Sequence, residues 1–407
     1  MDNIPSNFII GVIICVGFFF GGLATKLKLP KITGYIIAGV ILNPHLFHFV
    51  PPDFAKNTNP VTNIALSLIT FSIGGTLFFP KMKKMGKDIF YITFFESEFA
   101  FLAVFIGSCL IMPFFIHRGQ SWATVFIPLS LLLAVLAAPT DPSATLAVVH
   151  QYKAKGIVTS TTMGVSAFDD VFGIINYSIA MVLASALVGG GSLGVSSLVF
   201  RPAFIIGGAV FLGIVFGTIF NLLSPFVKEG AESVLIVLVL GLLSLSFGLA
   251  KIIGVDELLT TMVMGIVVIN LNRYHDKVFS ILERYTEQLV FLIFFTISGM
   301  FLDFSTFMES MVLVVLFFIF RTSGKAAGVK LGGLLSGADY KVKKYTSFGL
   351  IPQGGLVVGL ALIMKENHLF DYFSGLIINI IIGSTIVHEF IGPILVKYAF
   401  KKAGEIT

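Results

Sequence analysis

"GVSAFDDVFGIINYSIAMVLASA", residues 164–186, is apolar enough to lie in lipid and yet carries Asp169 and Asp170 side by side. A carboxylate at the middle of a bilayer costs about 2.5–3.5 kcal/mol on insertion scales, and two neighbouring ones also repel each other. The stretch sits between "KAKG" and "GGGSLG", which are separated by roughly thirty residues, more than a span requires. That length argues against both aspartates lying in a loop. A membrane helix that holds such a pair needs cations opposite it and a use for the acids.

The rest of the chain agrees with a membrane setting. Its 407 residues are 56% hydrophobic and only 12% charged, with 43 phenylalanines and a mean hydropathy of +0.97, whereas soluble domains carry about 25% charged residues. The net charge of +5 reflects loop lysines. No basic run is interleaved with exposed aromatics, so nucleic acid is not an expected partner. Cys15 and Cys109 both fall in apolar blocks, which speaks against a disulfide framework. The opening "MDNIPSN" lacks a basic n-region, so the first apolar block reads as a retained span rather than a leader.

Thirteen spans follow from the apolar blocks, near 7–25, 32–49, 62–79, 89–116, 124–150, 157–188, 200–223, 233–250, 257–271, 287–302, 309–336, 345–364 and 372–396. Lysines and arginines gather in "TKLKLPK", "PKMKKMGK", "HQYKAKG", "NRYHDKVFSILER", "YKVKKY" and "KYAFKKAGEIT", all on one side of that topology. The other side has Lys56, Arg118, Arg201, Lys251 and Lys365. The positive-inside rule then puts the N-terminus outside and the C-terminus in the cytoplasm, in an integral membrane protein expected in a prokaryotic inner membrane.

An internal repeat is visible. "GLATKLKLPKITGYIIAGVILN" at 22–43 resembles "GLAKIIGVDELLTTMVMGIVVIN" at 248–270, with Gly39 and Gly265 at the same spacing, and "FSIGGTL" at 71–77 echoes "FTISGMF" at 295–301. Spans 1–6 would then match spans 8–13 upside down, with span 7 as the link: 1–190 the first repeat, 191–230 the linking span, 231–407 the second. Inverted repeats with a midplane site mark secondary transporters. The expected fold is therefore an all-α polytopic membrane protein, one transport domain over 1–407 with no soluble regulatory domain.

Matched interruptions occur in spans 5 and 12. In "AAPTDPSA", Pro139 and Pro142 flank Thr140 and Asp141; in "LIPQGGLV", Pro352 is followed by Gln353, Gly354 and Gly355. Proline removes a backbone donor and disrupts the preceding turn. Broken helices at membrane depth leave free N–H and C=O ends, which are tolerated only where they line a cavity or cross one another. Span 11, "FFIFRTSGKAAGVKLGG", supplies the cations. Arg321 and Lys325 are four apart on one helix face, and Lys325 is set among small residues that permit close helix packing. Lys330 is expected to snorkel to the interface. Span 4 adds Glu96 and Glu98, which point to nearly opposite faces, so one at most joins the central site. In span 13, His388 and Glu389 either join a proton path or sit in the outer third of the helix, and the plainer second reading is preferred.

A hard cation such as Na⁺ needs several oxygen ligands, and carboxylates, a threonine hydroxyl and freed carbonyls provide them. Burial and a neighbouring cation act in opposite directions on a carboxylate's proton affinity, so protons and cation compete for one set of oxygens. That gives exchange rather than uniport. A transporter is expected, not an enzyme, with no resident cofactor and with Na⁺ (or Li⁺ or K⁺) and H⁺ as cargo.

These residues resemble the monovalent cation:proton antiporter superfamily, in its bacterial sodium/proton exchanger branch with two aspartates. "LKLPKITGYIIAGVILNP" is similar to that family's span 1–2 signature, "TDP" to its unwound helix, "FDDVFG" to its ion site and "GKAAGV" to its lysine helix. The resemblance implies that Asp170 is the central carboxylate binding cation and proton, with Asp169 beside it and able to pair with Lys325. It implies that Thr140 and Asp141 lie at the helix crossing, Asp141 offsetting positive helix ends and Lys325 negative ones. Electrogenic exchange and a homodimer are implied as well. Two departures stand out. "PQGG" replaces the arginine–glycine–glutamate stretch of many relatives, and Glu96 and Glu98 face Arg321 as a compensating ion pair of the kind some branches use.

Other readings of the same residues are a potassium/proton efflux antiporter, an organic-anion transporter using Arg321, an intramembrane aspartyl protease and a membrane sensor. The central groups are mostly acidic, which suits a cation. A protease would need its two aspartates on different helices, and a sensor would usually carry a soluble domain.

Overall fold

A computed structural model of the chain describes residues 5–27, 29, 31–44, 50–51, 54, 58–84, 86–116, 120–189, 200–226, 232–302 and 304–406. The glycine-rich stretch after span 6, Lys56 and Arg118 lie outside these. The described residues form helices joined by turns, with no strand among them. In chain order these are α1 (Ser6–Lys26), α2 (Lys31–Ile41), α3 (Asn59–Thr76), α4 (Phe79–Lys84), α5 (Gly86–Phe115), α6 (Trp122–Val135), α7 (Pro142–Tyr152), α8 (Ile157–Ser166) and α9 (Asp169–Val188). Then follow α10 (Arg201–Leu223), α11 (Glu232–Ile253), α12 (Glu257–Leu271), α13 (His275–Leu282), α14 (Gln288–Met300), α15 (Phe304–Ser336), α16 (Tyr340–Gly349), α17 (Gly355–Glu366) and α18 (Asp371–Ala403). Each expected span has a helical counterpart, and among the described residues seven helical stretches, one of them (157–188) interrupted at 167–168, are long and apolar enough to cross a bilayer. Side chains such as Phe18, Phe114, Phe211, Ile252 and Ile394 are exposed, the apolar exterior that hydrocarbon requires.

Among the described residues, three spans are broken rather than continuous. Span 5 divides into α6 and α7 around 136–141, and span 12 into α16 and α17 around 350–354. Span 6, read from sequence as one helix, divides into α8 and α9 at Ala167–Phe168, where Phe168 N–H reaches only Val165 O. The break makes Asp169 and Asp170 the first two residues of α9, where the positive end of the helix dipole favours acids.

The chain divides into two compact units that each draw on distant parts of the sequence: residues 1–55, 85–192 and 295–407 in one, 56–84 and 193–294 in the other. In the first, a core including Ile92, Val158, Val329, Val342, Leu350 and Phe400 ties α5, α8, α15, α16 and α18 together. Its last helix ends at Gly404, whose φ of +77° is the left-handed cap glycine supplies without strain. Just beyond that cap, the Glu405 carboxylate accepts from Val158 N–H at 2.8 Å and Thr159 N–H at 2.7 Å, and from the Thr159 hydroxyl at 2.7 Å. Glu405 thus closes the open donors at the start of α8. In the second unit, Leu68, Phe71, Phe220, Val239, Leu243, Met264 and Leu282 form the core, and the Thr70 and Thr261 hydroxyls meet at 2.6 Å.

The repeat has a packing counterpart. Gly39 abuts the backbone of Gly299 in the first unit, and Gly265 that of Gly74 in the second. These pairs join span 2 to span 10 and span 9 to span 3, which are corresponding pairs under the repeat. No side chain fits at either contact.

Candidate ion-binding site

The two main breaks meet. Asp141 N–H donates to Pro352 O at 3.1 Å, so the extended segments 136–141 and 350–354 cross in direct contact. Buried backbone groups must find partners, and the freed carbonyls here do so one by one. Gln353 Nε2 donates to Leu136 O at 2.7 Å. Arg321 donates to Ala137 O from Nε at 2.9 Å, to Pro139 O from Nη2 at 2.7 Å and to Ile351 O from Nη1 at 2.8 Å. Lys325 donates to Ala138 O at 2.6 Å, and the Thr145 hydroxyl to Gly349 O at 3.0 Å. A single guanidinium therefore grips the carboxyl-terminal ends of both interrupted helices, where dipoles leave partial negative charge. The expected ion pair of Arg321 with Glu96 or Glu98 does not form; a planar donor fork matched to carbonyls takes its place.

At the opposite ends stands Asp141. It immediately precedes α7, and Gly354, the residue before α17, lies so close that a Cβ there would come within 2.8 Å of Asp141 Cβ. The carboxylate is thus adjacent to two helix starts at once, and glycine at 354 is what lets it approach.

Lys325 is the hub of the charged network. Its ammonium stands 2.6 Å from Glu96 Oε2, 2.9 Å from Thr140 Oγ1 and 3.3 Å from Asp169 Oδ2, besides Ala138 O. Thr140 in turn donates its hydroxyl to Asp169 Oδ2 in a short hydrogen bond. Three N–H donors serve four acceptors, and Asp169 has the longest contact. Glu96 reaches Lys325 because Gly328 sits against the backbone of Phe95 and Glu96, the small-residue packing that brings membrane helices close. Glu96 is fully buried, while Glu98 faces elsewhere and accepts from Asn176 at 3.0 Å. Asp169 Oδ1 is buried without a hydrogen-bond partner. Asp170 stands outside these hydrogen bonds and is 8% exposed, against 0% for Asp169.

The structure therefore gathers Thr140, Asp141, Asp169, Asp170, Lys325, Arg321, Glu96 and the breaks at Pro139, Pro142 and Pro352–Gly355 in one region, and leaves Glu98 to the side. It also brings in a residue that the sequence reading set apart. Glu389 is fully buried and accepts from the Thr33 hydroxyl at 3.3 Å. His388 beside it is equally buried, with Nδ1 2.7 Å from Ser384 O and its ring against Phe318. Both are thus interior side chains of α18.

A family model described as sodium/hydrogen exchanger, transmembrane, matches residues 12–402. The chain belongs to the sodium/hydrogen exchanger family. Among curated members, this exchanger is 23% identical to the ammonium/H⁺ antiporter subunit AmhT of Alkalihalophilus pseudofirmus, over 98% of this chain and 97% of that one. It is 21% identical to a Na⁺/H⁺ antiporter of Enterococcus hirae, over 93% and 94% of the two chains. The exchanger's fold matches that of the sodium proton antiporter MjNhaP1 from Methanocaldococcus jannaschii at pH 8, with a TM-score of 0.73 at 21% identity, over 98% of this chain and 97% of that one.

Proposed function

We propose that this membrane-embedded antiporter exchanges Na⁺ for protons on the Asp169–Asp170 pair, with Asp170 carrying the cargo and Asp169 linking it to Lys325. The observation that carries the reading is the state of the two acids. Asp169 is half engaged, with Oδ2 bound to Thr140 and Lys325 and Oδ1 buried and unpartnered, while Asp170 retains a small opening. Unpartnered carboxylate oxygens beside a helix break are what a desolvated hard cation needs. Two acids against a shared ammonium take up a proton when the cation leaves.

Arg321 and Gln353 spend their donors on the carbonyls of the crossing rather than on Asp169 and Asp170, which leaves that pair to cargo. Alternating access would follow from movement of the broken helices as a set. The family resemblance supports a homodimer in a prokaryotic inner membrane with the C-terminus inside, and the loop lysines support that orientation.

Proteoliposomes with a preformed proton gradient provide the test, challenged with Na⁺, Li⁺, K⁺ and NH₄⁺ in turn. Na⁺ is expected to collapse the gradient in the wild type and not in Asp170→Asn. Collapse by Asp170→Asn at the wild-type rate would overturn the carrier assignment, and collapse by NH₄⁺ or K⁺ alone would replace Na⁺ as cargo.

A further inference from the structure

Three lysines at one end of the first unit lie over tyrosine rings rather than against carboxylates. Lys344 Nζ is 5.4 Å from the ring centres of both Tyr340 and Tyr345, Lys397 Nζ 4.4 Å from that of Tyr152, and Lys402 Nζ 6.0 Å from that of Tyr398. The acids nearest them in the chain are spent on helix starts. Asp339 accepts from Lys341 N–H at the start of α16, and Glu405 caps α8. Among the described residues Lys344, Lys397 and Lys402 form no ion pair, so their charge is left without a partnering carboxylate.

The side chains are graded along the helix axes. On α18, Ile394, Tyr398 and Lys402 are four apart and form one stripe, exposed throughout, at 68% for Ile394 and 46% for Tyr398. On α16, Tyr340, Lys344 and Phe348 follow at the same spacing. The stripes touch where Phe348 meets Tyr398 edge to face, with ring centres 5.6 Å apart. The two helices run antiparallel there, since Lys341 at the start of α16 donates from Nζ to Ala403 O at the end of α18 at 2.8 Å. One turn from the ring pair, on that same side, stand Lys344 and Lys402. On the other side stands Ile394. Apolar, then aromatic, then cationic is the order that matches a bilayer from hydrocarbon to headgroup.

A bias of lysines toward one side of the membrane is met at any angle around a helix; here two of them flank one seam. We infer that the seam between α16 and α18 binds an anionic phospholipid, its headgroup phosphate between Lys344 and Lys402 and an acyl chain along Phe348, Tyr398 and Ile394. Lysines at this level attract anionic lipid, whereas a zwitterionic headgroup brings a cation of its own. α16 leads directly into the broken segment at 350–354, and Gly392 of α18 packs against Pro352. The lipid thus rests on two helices that hold the crossing. Its binding does not depend on which cation is exchanged.

Native mass spectrometry of the purified full chain, released from micelles doped with phosphatidylglycerol or phosphatidylcholine, reads the retained lipid. Phosphatidylglycerol should stay bound where phosphatidylcholine does not. Lys344→Gln combined with Lys402→Gln should weaken its retention about tenfold or more, and Lys344→Arg with Lys402→Arg, which keeps the charge, should preserve it. Lys153→Gln with Lys155→Gln makes the same charge change on exposed side chains after α7 and should leave retention at the wild-type level. Equal retention of the two lipids, equal losses in the two glutamine variants, or wild-type retention in Lys344→Gln with Lys402→Gln overturns the site. Displacement of the lipid by an equal concentration of soluble glycerol phosphate also overturns it, because the seam would then be a plain anion patch with no place for the acyl chain.

Discussion

Lys325 lies closer to Glu96 than to Asp169, at 2.6 Å against 3.3 Å. The lysine is thus anchored by an acid on a neighbouring helix and leans toward the ion pair as a second partner. Removing one member of a buried ion pair costs about 3–5 kcal/mol, because the other is left uncompensated. Glu96→Gln should therefore lower the melting temperature of the purified protein clearly. Glu98→Gln, which weakens only the partly buried contact with Asn176, should cost less than about 1.5 kcal/mol. Equal shifts for the two would show that Glu96 is not the anchor.

The same geometry revises what Lys325 substitutions report. Lys325→Met strands both Glu96 and Asp169 in a buried setting, so folding should suffer along with transport. Adding Glu96→Gln to Lys325→Met should recover part of the lost stability, since a neutral pair avoids the desolvated charge. Thermal melts of the two variants, side by side, check this; a double variant less stable than the single one would contradict it.

Competition sets the sign of the pH dependence. In the proposed exchange the cation binds ionised aspartates, and a falling pH fills those oxygens with protons. The apparent KM for Na⁺ should rise as pH falls, approaching about tenfold per pH unit where a single proton competes. Initial rates in proteoliposomes at several pH values measure it, and a KM independent of pH would mean that proton and cation occupy separate groups.

Arg321 acts by shape as much as by charge. A lysine there keeps the cation but offers a point charge instead of a fork, leaving some of Ala137 O, Pro139 O and Ile351 O without donors. Each buried unsatisfied carbonyl costs about 1–3 kcal/mol. Arg321→Lys should be destabilised by that order and lose exchange activity. A wild-type melting curve would show that charge alone suffices at the crossing.

Glu405 should behave as a helix cap. Glu405→Ala removes acceptors from Val158, Thr159 and the Thr159 hydroxyl, a loss of about 0.5–2 kcal/mol by comparison with other caps. Hydrogen exchange at the amides of 158–160 should quicken in the variant, and unchanged exchange there would argue against the cap.

The polar residues inside apolar runs, Thr140, Asp141, Asp169 and Lys325, were legible because lipid makes each of them expensive without a partner. The breaks were legible from Pro139, Pro142 and Pro352. The break before Asp169 was not, because no proline marks it. Arg321's partners were hidden for another reason, since a backbone carbonyl leaves no mark in sequence. The burial of Glu389 was hidden in the same way, since the Thr33 hydroxyl that meets it lies more than three hundred residues away in the chain.

The grip of Glu405 on the first turn of α8 has a practical side. Ten residues of rise separate Thr159 from Asp169, about 15 Å of helix, with one break between them. Any tilt of that rod during turnover must drag the chain at 405–406 with it or tear the contact. A small spin label or fluorophore at Ile406 would then act as a pointer attached to α8, the helix that leads into the break before Asp169.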